Sequence, residues 1–331
     1  MSEMRWNPVL QEWVITATHR QDRTFLPPRD YCPLDPTKPG GTPTEVPAPD
    51  YQIVTFENRF PAFQRTPPPA AVEPTDLYRV RPSQGVCEVV LYTPEHEGTL
   101  TDASLRQIHR LIRVWTDRYA ELGALEYVRY VLIFENKGAV IGVTLTHPHG
   151  QIYAFPFIPP ILQRELASGL QHMERTGRCL FCDVLAEELR DGRRLVAESE
   201  HFVAFIPFFA RWPYEVHIYS RAHAGSLLHF PPDQQYDLAR ILKTVLLKYD
   251  GLWQMSMPYI MVMHQQPTDG GAYPHYHFHI EFYPPHRTKD KLKYLAGVES
   301  GSGTFLNDTL PEEKAAELRA VPPLRVADLE E

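Results

Sequence analysis

The run His147-Pro148-His149-Gly150-Gln151 sets two imidazoles and a carboxamide on alternate residues. Extended backbone turns alternate side chains to one face, so His147, His149 and Gln151 share a face with neighbours about 7 Å apart. A neutral imidazole attacks phosphorus well near neutral pH when its second nitrogen is held as a donor, and the product is a phosphoramidate. Gln151 can donate to a non-bridging phosphoryl oxygen, but it can neither give a proton as a general acid nor activate water. That favours transfer to a second phosphate over hydrolysis. Gly150 leaves room for a bulky anion close to the backbone. A polar strand whose histidines are simply satisfied in the interior is the competing reading.

A related triplet, His275-Tyr276-His277-Phe278-His279, follows 128 residues later. Around the two runs the same signals come in the same order. His96-Glu97-Gly98-Thr99-Leu100 precedes one, and His223-Ala224-Gly225-Ser226-Leu227 precedes the other. Aligning the triplets from their first histidines matches His275 to His147 and His279 to Gln151, so the first half is expected to carry the chemistry.

Cys179-x-x-Cys182 with His223 and His275 has the ligand chemistry of a closed tetrahedral zinc site. Cys32, Asp35, His96 and His147 stand at the corresponding places in the first half, with a harder carboxylate for one thiolate. With four protein ligands, either site is structural and keeps no position open for substrate. The alternative is that these thiols are small buried apolar groups.

The elements that must position these groups can be read from periodicity. Thr101 to Gly123 and Pro231 to Tyr249 carry apolar residues at three- and four-residue intervals, the first at Leu105, Ile108, Leu111, Ile112 and Trp115. Each is followed by a β-rich run, Tyr127 to Phe134 and Tyr259 to Met263, then a Gly-bearing loop and the histidine triplet. Two α+β units, each a small antiparallel sheet with a helix, are expected over residues 1–160 and 161–331.

The chain has 331 residues, enough for two such units around a sizeable core. Its 32 prolines cluster at 27–28, 33–49 and 67–69, which read as surface loops. A net charge of −8 argues against nucleic-acid binding, which needs a basic face, but is compatible with a small anionic substrate met by a few local Arg and Lys. Four cysteines are too few for a disulfide scaffold. No apolar run approaches a membrane span, and a cytoplasmic enzyme is expected.

His147 to Ile152 preceded by Phe134-Glu135-Asn136-Lys137-Gly138 resembles the galactose-1-phosphate uridylyltransferase family of the histidine-triad superfamily. The likeness runs from Asn7-Pro8 and Trp13-Val14 to Phe282-Tyr283-Pro284-Pro285 and Gly297-Val298-Glu299. It implies a duplicated histidine-triad-like α+β unit with an antiparallel sheet and flanking helices. It also implies ping-pong exchange of UMP between UDP-glucose and galactose 1-phosphate through a uridylyl group on His149, and a homodimer with a shared active site. No organic cofactor is implied.

By the same resemblance Arg20 and Arg23 meet phosphate, Asn58 and Phe60 belong to the uridine pocket, and Asn136, Gly142 and Thr144 line nucleotide and phosphate. Lys293 and Glu299 lie near the hexose, although Val298 stands where the family has Tyr, and a hexose-contacting Gln shortly after the Glu is missing. Some members hold a second metal through Glu and three His. Here Glu165, His264 and His279 match but the last position is Glu281, and the Cys179, Cys182, His223, His275 set is preferred for zinc. Two other activities remain open. One is an ADP-glucose phosphorylase-like transfer, whose enzymes tend to carry Ser at the position of Gly150. The other is a histidine-triad hydrolase using the second triplet, against which Glu281 would repel an incoming phosphate.

Overall fold

The computed structural model describes residues 2–22 and 31–322. Its centre is one antiparallel sheet of nine strands. In chain order these are β3 (Val54–Glu57), β5 (Val86–Leu91), β6 (Tyr130–Lys137), β7 (His149–Phe155), β8 (Leu195–Glu198), β9 (Phe202–Phe205), β10 (Val216–Ser220), β11 (Tyr259–His264) and β12 (His279–Tyr283). Across the sheet the order is β3-β5-β7-β6-β11-β12-β10-β9-β8. A separate three-stranded sheet joins β1 (Ser2–Asn7) to β2 (Glu12–Ala17) and β4 (Val80–Pro82).

Outward from the β6–β11 pair the two halves of the large sheet repeat each other, β6, β7, β5, β3 against β11, β12, β10, β9. Phe134 pairs directly with Val262 at the seam. From there one cross-strand row runs through Gln151 and Val89 on one side, and through Glu281 and His217 on the other. The expected α+β duplication is therefore present as one continuous sheet, with the halves hydrogen-bonded edge to edge.

Ladder register also corrects the alignment of the histidine triplets. Gln151 corresponds to Glu281, His149 to His279 and His147 to His277, each two residues later than expected. Counting residues misplaced the match because the chain from Val262 round to its ladder partner Glu281 is two residues longer than that from Phe134 round to its partner Gln151. A surface loop absorbs such an insertion cheaply, whereas a one-step slip in a strand would turn its apolar face to water.

Helix α1 (Leu105–Gly123) begins four residues later than periodicity alone places it, because Ser104 caps it by accepting from Gln107 N at 3.1 Å. Its stripe of Ile108, Leu111, Ile112, Trp115 and Tyr119 is buried. Each such side chain contributes roughly 1.5–3 kcal/mol by leaving water. Two helices that periodicity did not reveal, α2 (Pro160–Thr176) and α3 (Leu180–Asp191), follow the first half. Proline in the first turn of α2 and left-handed Gly177 and Gly192 at the two C-terminal ends are the signals that mark them. α4 (Pro232–Leu252) is the counterpart of α1 and packs with it in one core, which also holds Val90, Val131, Ile133 and Ile152.

Candidate active site

β7 brings His149 and Gln151 to the same face, and they line a cleft with Asn58, Phe60, Thr144 and the apolar Leu34, Phe56, Val89 and Leu145. His147 and Pro148 precede the strand. His149 Nδ1 lies 2.7 Å from the carbonyl oxygen of His147. A carbonyl only accepts, so Nδ1 carries the proton and the lone pair is on Nε2. The structure therefore contains the tautomer that a nucleophilic imidazole needs.

Asn136 lines an adjoining cavity that also reaches His149 and His147. Gly142 ends the short helical turn Ala139–Ile141 with φ 86°, a left-handed conformation that only glycine adopts readily. Arg20 donates to the Phe60 carbonyl at 3.0 Å and to the Tyr153 hydroxyl at 3.4 Å, which braces this wall. Arg23 lies outside the described residues. Lys293 and Glu299 pair with each other at 3.0 Å and are not among the residues lining either cavity at His149.

Gly150 has a different reason from the one expected. A Cβ there would sit 2.2 Å from the Tyr92 hydroxyl and 3.1 Å from the Phe134 carbonyl oxygen, on the inner side of the sheet. Packing against Tyr92 leaves no room for a side chain at this position, on the face away from the cleft.

Just before the strand, Asp35 Oδ1 lies 2.8 Å from His96 Nδ1 and 3.0 Å from His147 Nδ1, with buried Cys32 in the same group. His147 Nε2 is 2.8 Å from the Thr93 carbonyl and must donate to it. In the neutral ring this leaves Nδ1 as a lone pair aimed at a carboxylate, two acceptors that a cation between them would satisfy. Burial opposes ionisation of Asp35, but its lowering contacts, the hydrogen bond with His96 first among them, outweigh it and hold its pKa below the usual value. Burial pushes the Cys32 thiol up to about 11.

The second-half group is Cys179, Cys182, His223 and His277. His277 takes the place expected of His275, whose carbonyl oxygen instead accepts from Cys179 Sγ at 3.7 Å. His277 repeats the arrangement of His147: Nε2 is 3.0 Å from the Ser220 carbonyl, and Nδ1 faces Cys182 Sγ at 3.4 Å. Cys182 Sγ is also 3.4 Å from His223 Nδ1. Zinc bonds of about 2.3 Å to sulfur and about 2.0–2.1 Å to nitrogen imply tetrahedral S···N edges of about 3.5 Å, so these residues fit zinc. The hydrogen bond from Cys182 and then that from His277 draw the Cys179 thiol well below its ordinary value.

His279, the counterpart of His149, is walled in. Phe181 of α3 lies over its ring at 5.2 Å between centroids, and it joins Glu165, His264 and Glu281 in a buried polar group. Glu165 meets His264 Nδ1 at 3.0 Å and Tyr276 Oη at 2.7 Å. Arg211, which sequence reasoning missed, donates to Glu281 at 3.1 Å and pairs with Glu215 at 3.5 Å. Burial opposes charge on His264, but Glu165 and then Glu281 outweigh it and push its pKa up to about 9. The second half thus has fixed charge where the first has an open cleft.

Comparison with known proteins agrees with this geometry over nearly the full length. The family model "Galactose-1-phosphate uridyl transferase, N-terminal domain" matches residues 1–159, and its C-terminal counterpart matches residues 165–328. The chain is 42% identical to galactose-1-phosphate uridylyltransferase of Thermotoga maritima, covering 96% of this chain and 98% of that protein. It is 35% identical to the Rattus norvegicus protein of that name, covering 96% and 87%. A solved uridylyltransferase structure superposes with a TM-score of 0.85 at 35% identity, covering 96% of this chain and 98% of that one. An ADP-glucose phosphorylase from Arabidopsis thaliana shares the fold at TM-score 0.72 and 24% identity, over 97% and 99% of the two chains. With both family models matched in order and the residues of the His149 cleft in place, the chain belongs to the galactose-1-phosphate uridylyltransferase family.

Proposed function

We propose that the chain exchanges UMP between UDP-glucose and galactose 1-phosphate in two in-line displacements at His149. The observation that carries this reading is the contact of His149 Nδ1 with the His147 carbonyl, which leaves the lone pair on Nε2 beside Gln151, Asn58 and Thr144. In the first displacement Nε2 attacks the α-phosphorus of UDP-glucose. The bond from that phosphorus to the bridging oxygen breaks, and glucose 1-phosphate leaves with the electron pair. In the second, a phosphate oxygen of galactose 1-phosphate attacks the same phosphorus, the P–N bond breaks and UDP-galactose departs.

Gln151 donates to a non-bridging oxygen in both steps, while Phe60 and the apolar floor hold the base. Residues 1–160 carry the reacting groups, and 161–331 brace them. Cys32, Asp35, His96 and His147 would hold one structural zinc, and Cys179, Cys182, His223 and His277 another. Zinc there would serve chain geometry, with His147 as a ligand tying down the residues that lead into β7 and His149. Lys293 and Glu299, which line neither cavity at His149 of their own chain, serve the hexose in a neighbour's site in a homodimer.

The test is incubation with UDP-glucose alone. One equivalent of glucose 1-phosphate per site, with a uridylyl group retained on denatured protein and absent from His149→Ala, is the expected result. Continuous release of UMP would instead establish a hydrolase.

A further inference from the structure

The inner side of β7 holds a buried polar group that the phosphoryl chemistry does not use. Glu135 on β6 is 4% exposed and accepts from two hydroxyls, Tyr259 Oη at 3.1 Å and Tyr92 Oη at 3.2 Å. Tyr92 and Tyr259 are themselves buried. Strand alternation puts the Glu135 side chain on the opposite face of the sheet from Gln151 and His149, and it is not among the residues lining their cleft, although the residue borders the adjoining cavity that holds Asn136.

Tyr92 is bound to the nucleophile's loop along its whole length. Its N–H donates to the Pro148 carbonyl at 3.2 Å, its hydroxyl fills the space beside Gly150, and the next carbonyl, that of Thr93, receives His147 Nε2. The ring of Trp115 meets it edge-on at 6.2 Å between centroids. One short segment thus contacts the residues on both sides of His149, and Glu135 fixes the far end of that segment's longest side chain.

We propose that Glu135, acting through Tyr92, is a positioning residue for the nucleophile: it holds the Tyr92 hydroxyl against Gly150 and so fixes the backbone from which His149 projects. This rests on the reading of His149 given above. An in-line displacement is sensitive to sub-ångström placement of the attacking atom, and displacements near 1 Å cost on the order of a hundredfold in rate. A looser Tyr92 therefore lowers the rate of bond formation without lowering affinity for UDP-glucose.

The test is a double-mutant cycle with Glu135→Gln and Tyr92→Phe, both near-isosteric, read as the single-turnover rate of uridylyl transfer from UDP-glucose to the protein. Each single variant is expected to lose on the order of tenfold in that rate, with KM for UDP-glucose unchanged, and the double variant to lose no more than Tyr92→Phe alone. Gly150→Ala gives a second route. It should be slow in the wild-type background and partly rescued by Tyr92→Phe, which removes the oxygen 2.2 Å from the new Cβ.

Multiplicative losses in the double variant, single-variant rates within twofold of wild type, or no rescue of Gly150→Ala would overturn the proposal while leaving His149 as nucleophile. A wild type that takes no label would overturn the reading of His149 and the clamp with it.

Discussion

Replacing Glu135 by glutamine should change how stability depends on pH, in a direction that its burial sets. Burial raises the Glu135 pKa from 4.5 to about 7, with Lys137, Tyr259 and Tyr92 pulling in the opposite direction. Lys137 is itself paired with Asp250 of α4 at 3.1 Å, and that pair is common to both proteins. Because the folded pKa lies above the unfolded one, folded protein holds its proton between pH 4.5 and 7 while unfolded protein has released it. Stability attributable to this group is therefore complete below the unfolded pKa and is lost as pH rises to the folded pKa. With those two values, the linkage relation gives a penalty of about 1 kcal/mol at pH 5 and about 3 kcal/mol at pH 8. Glutamine has no such penalty. Its altered hydrogen bonds to the tyrosines add a cost that does not vary with pH. Urea unfolding of both proteins at pH 5 and pH 8 should show the variant gaining roughly 2 kcal/mol relative to wild type between the two conditions. A difference that stays flat within about 0.5 kcal/mol would refute the assignment of a neutral-range titration to Glu135.

Metal content separates the two histidines of the second triplet: His277→Ala should lose one zinc per chain by elemental analysis, while His275→Ala should keep it. Arg211→Ala strands the buried carboxylates of Glu281 and Glu215 without their guanidinium, and a loss of roughly 3–5 kcal/mol in urea unfolding is expected; a loss under about 1 kcal/mol would show that the cluster is neutralised otherwise. Gln151→Glu copies the second half's own residue into the active half. It should slow uridylyl transfer by on the order of a hundredfold or more, because a carboxylate replaces a donor beside phosphate. A near-normal single-turnover rate in that variant would remove Gln151 from the phosphoryl group.

The duplication, the two long helices and the His149–Gln151 pair were legible because each leaves a local signal: 3.6-residue apolar spacing, alternation, and repeated order. The pairing of the two halves was misread by two residues because a loop, unlike a ladder, does not conserve length, and this moved the zinc ligand from His277 to His275. α2 and α3 escaped because only short apolar stripes face the sheet, and their terminal glycines were not weighed. Gly150 was read for its open side, but its constraint comes from Tyr92, 58 residues away in sequence and adjacent only after β5 and β7 pair. Arg211 and Glu135 likewise gain their meaning from partners that folding brings together.

The central claim is that His149 Nε2 carries the uridylyl group between the two half-reactions. Protein mixed with UDP-glucose alone, denatured, digested and mapped by mass spectrometry measures this directly. The account predicts one acid-labile uridylyl group on the peptide containing His149, discharged by galactose 1-phosphate with formation of UDP-galactose. An adduct on another residue, or unmodified protein that still exchanges the two sugars, would contradict it.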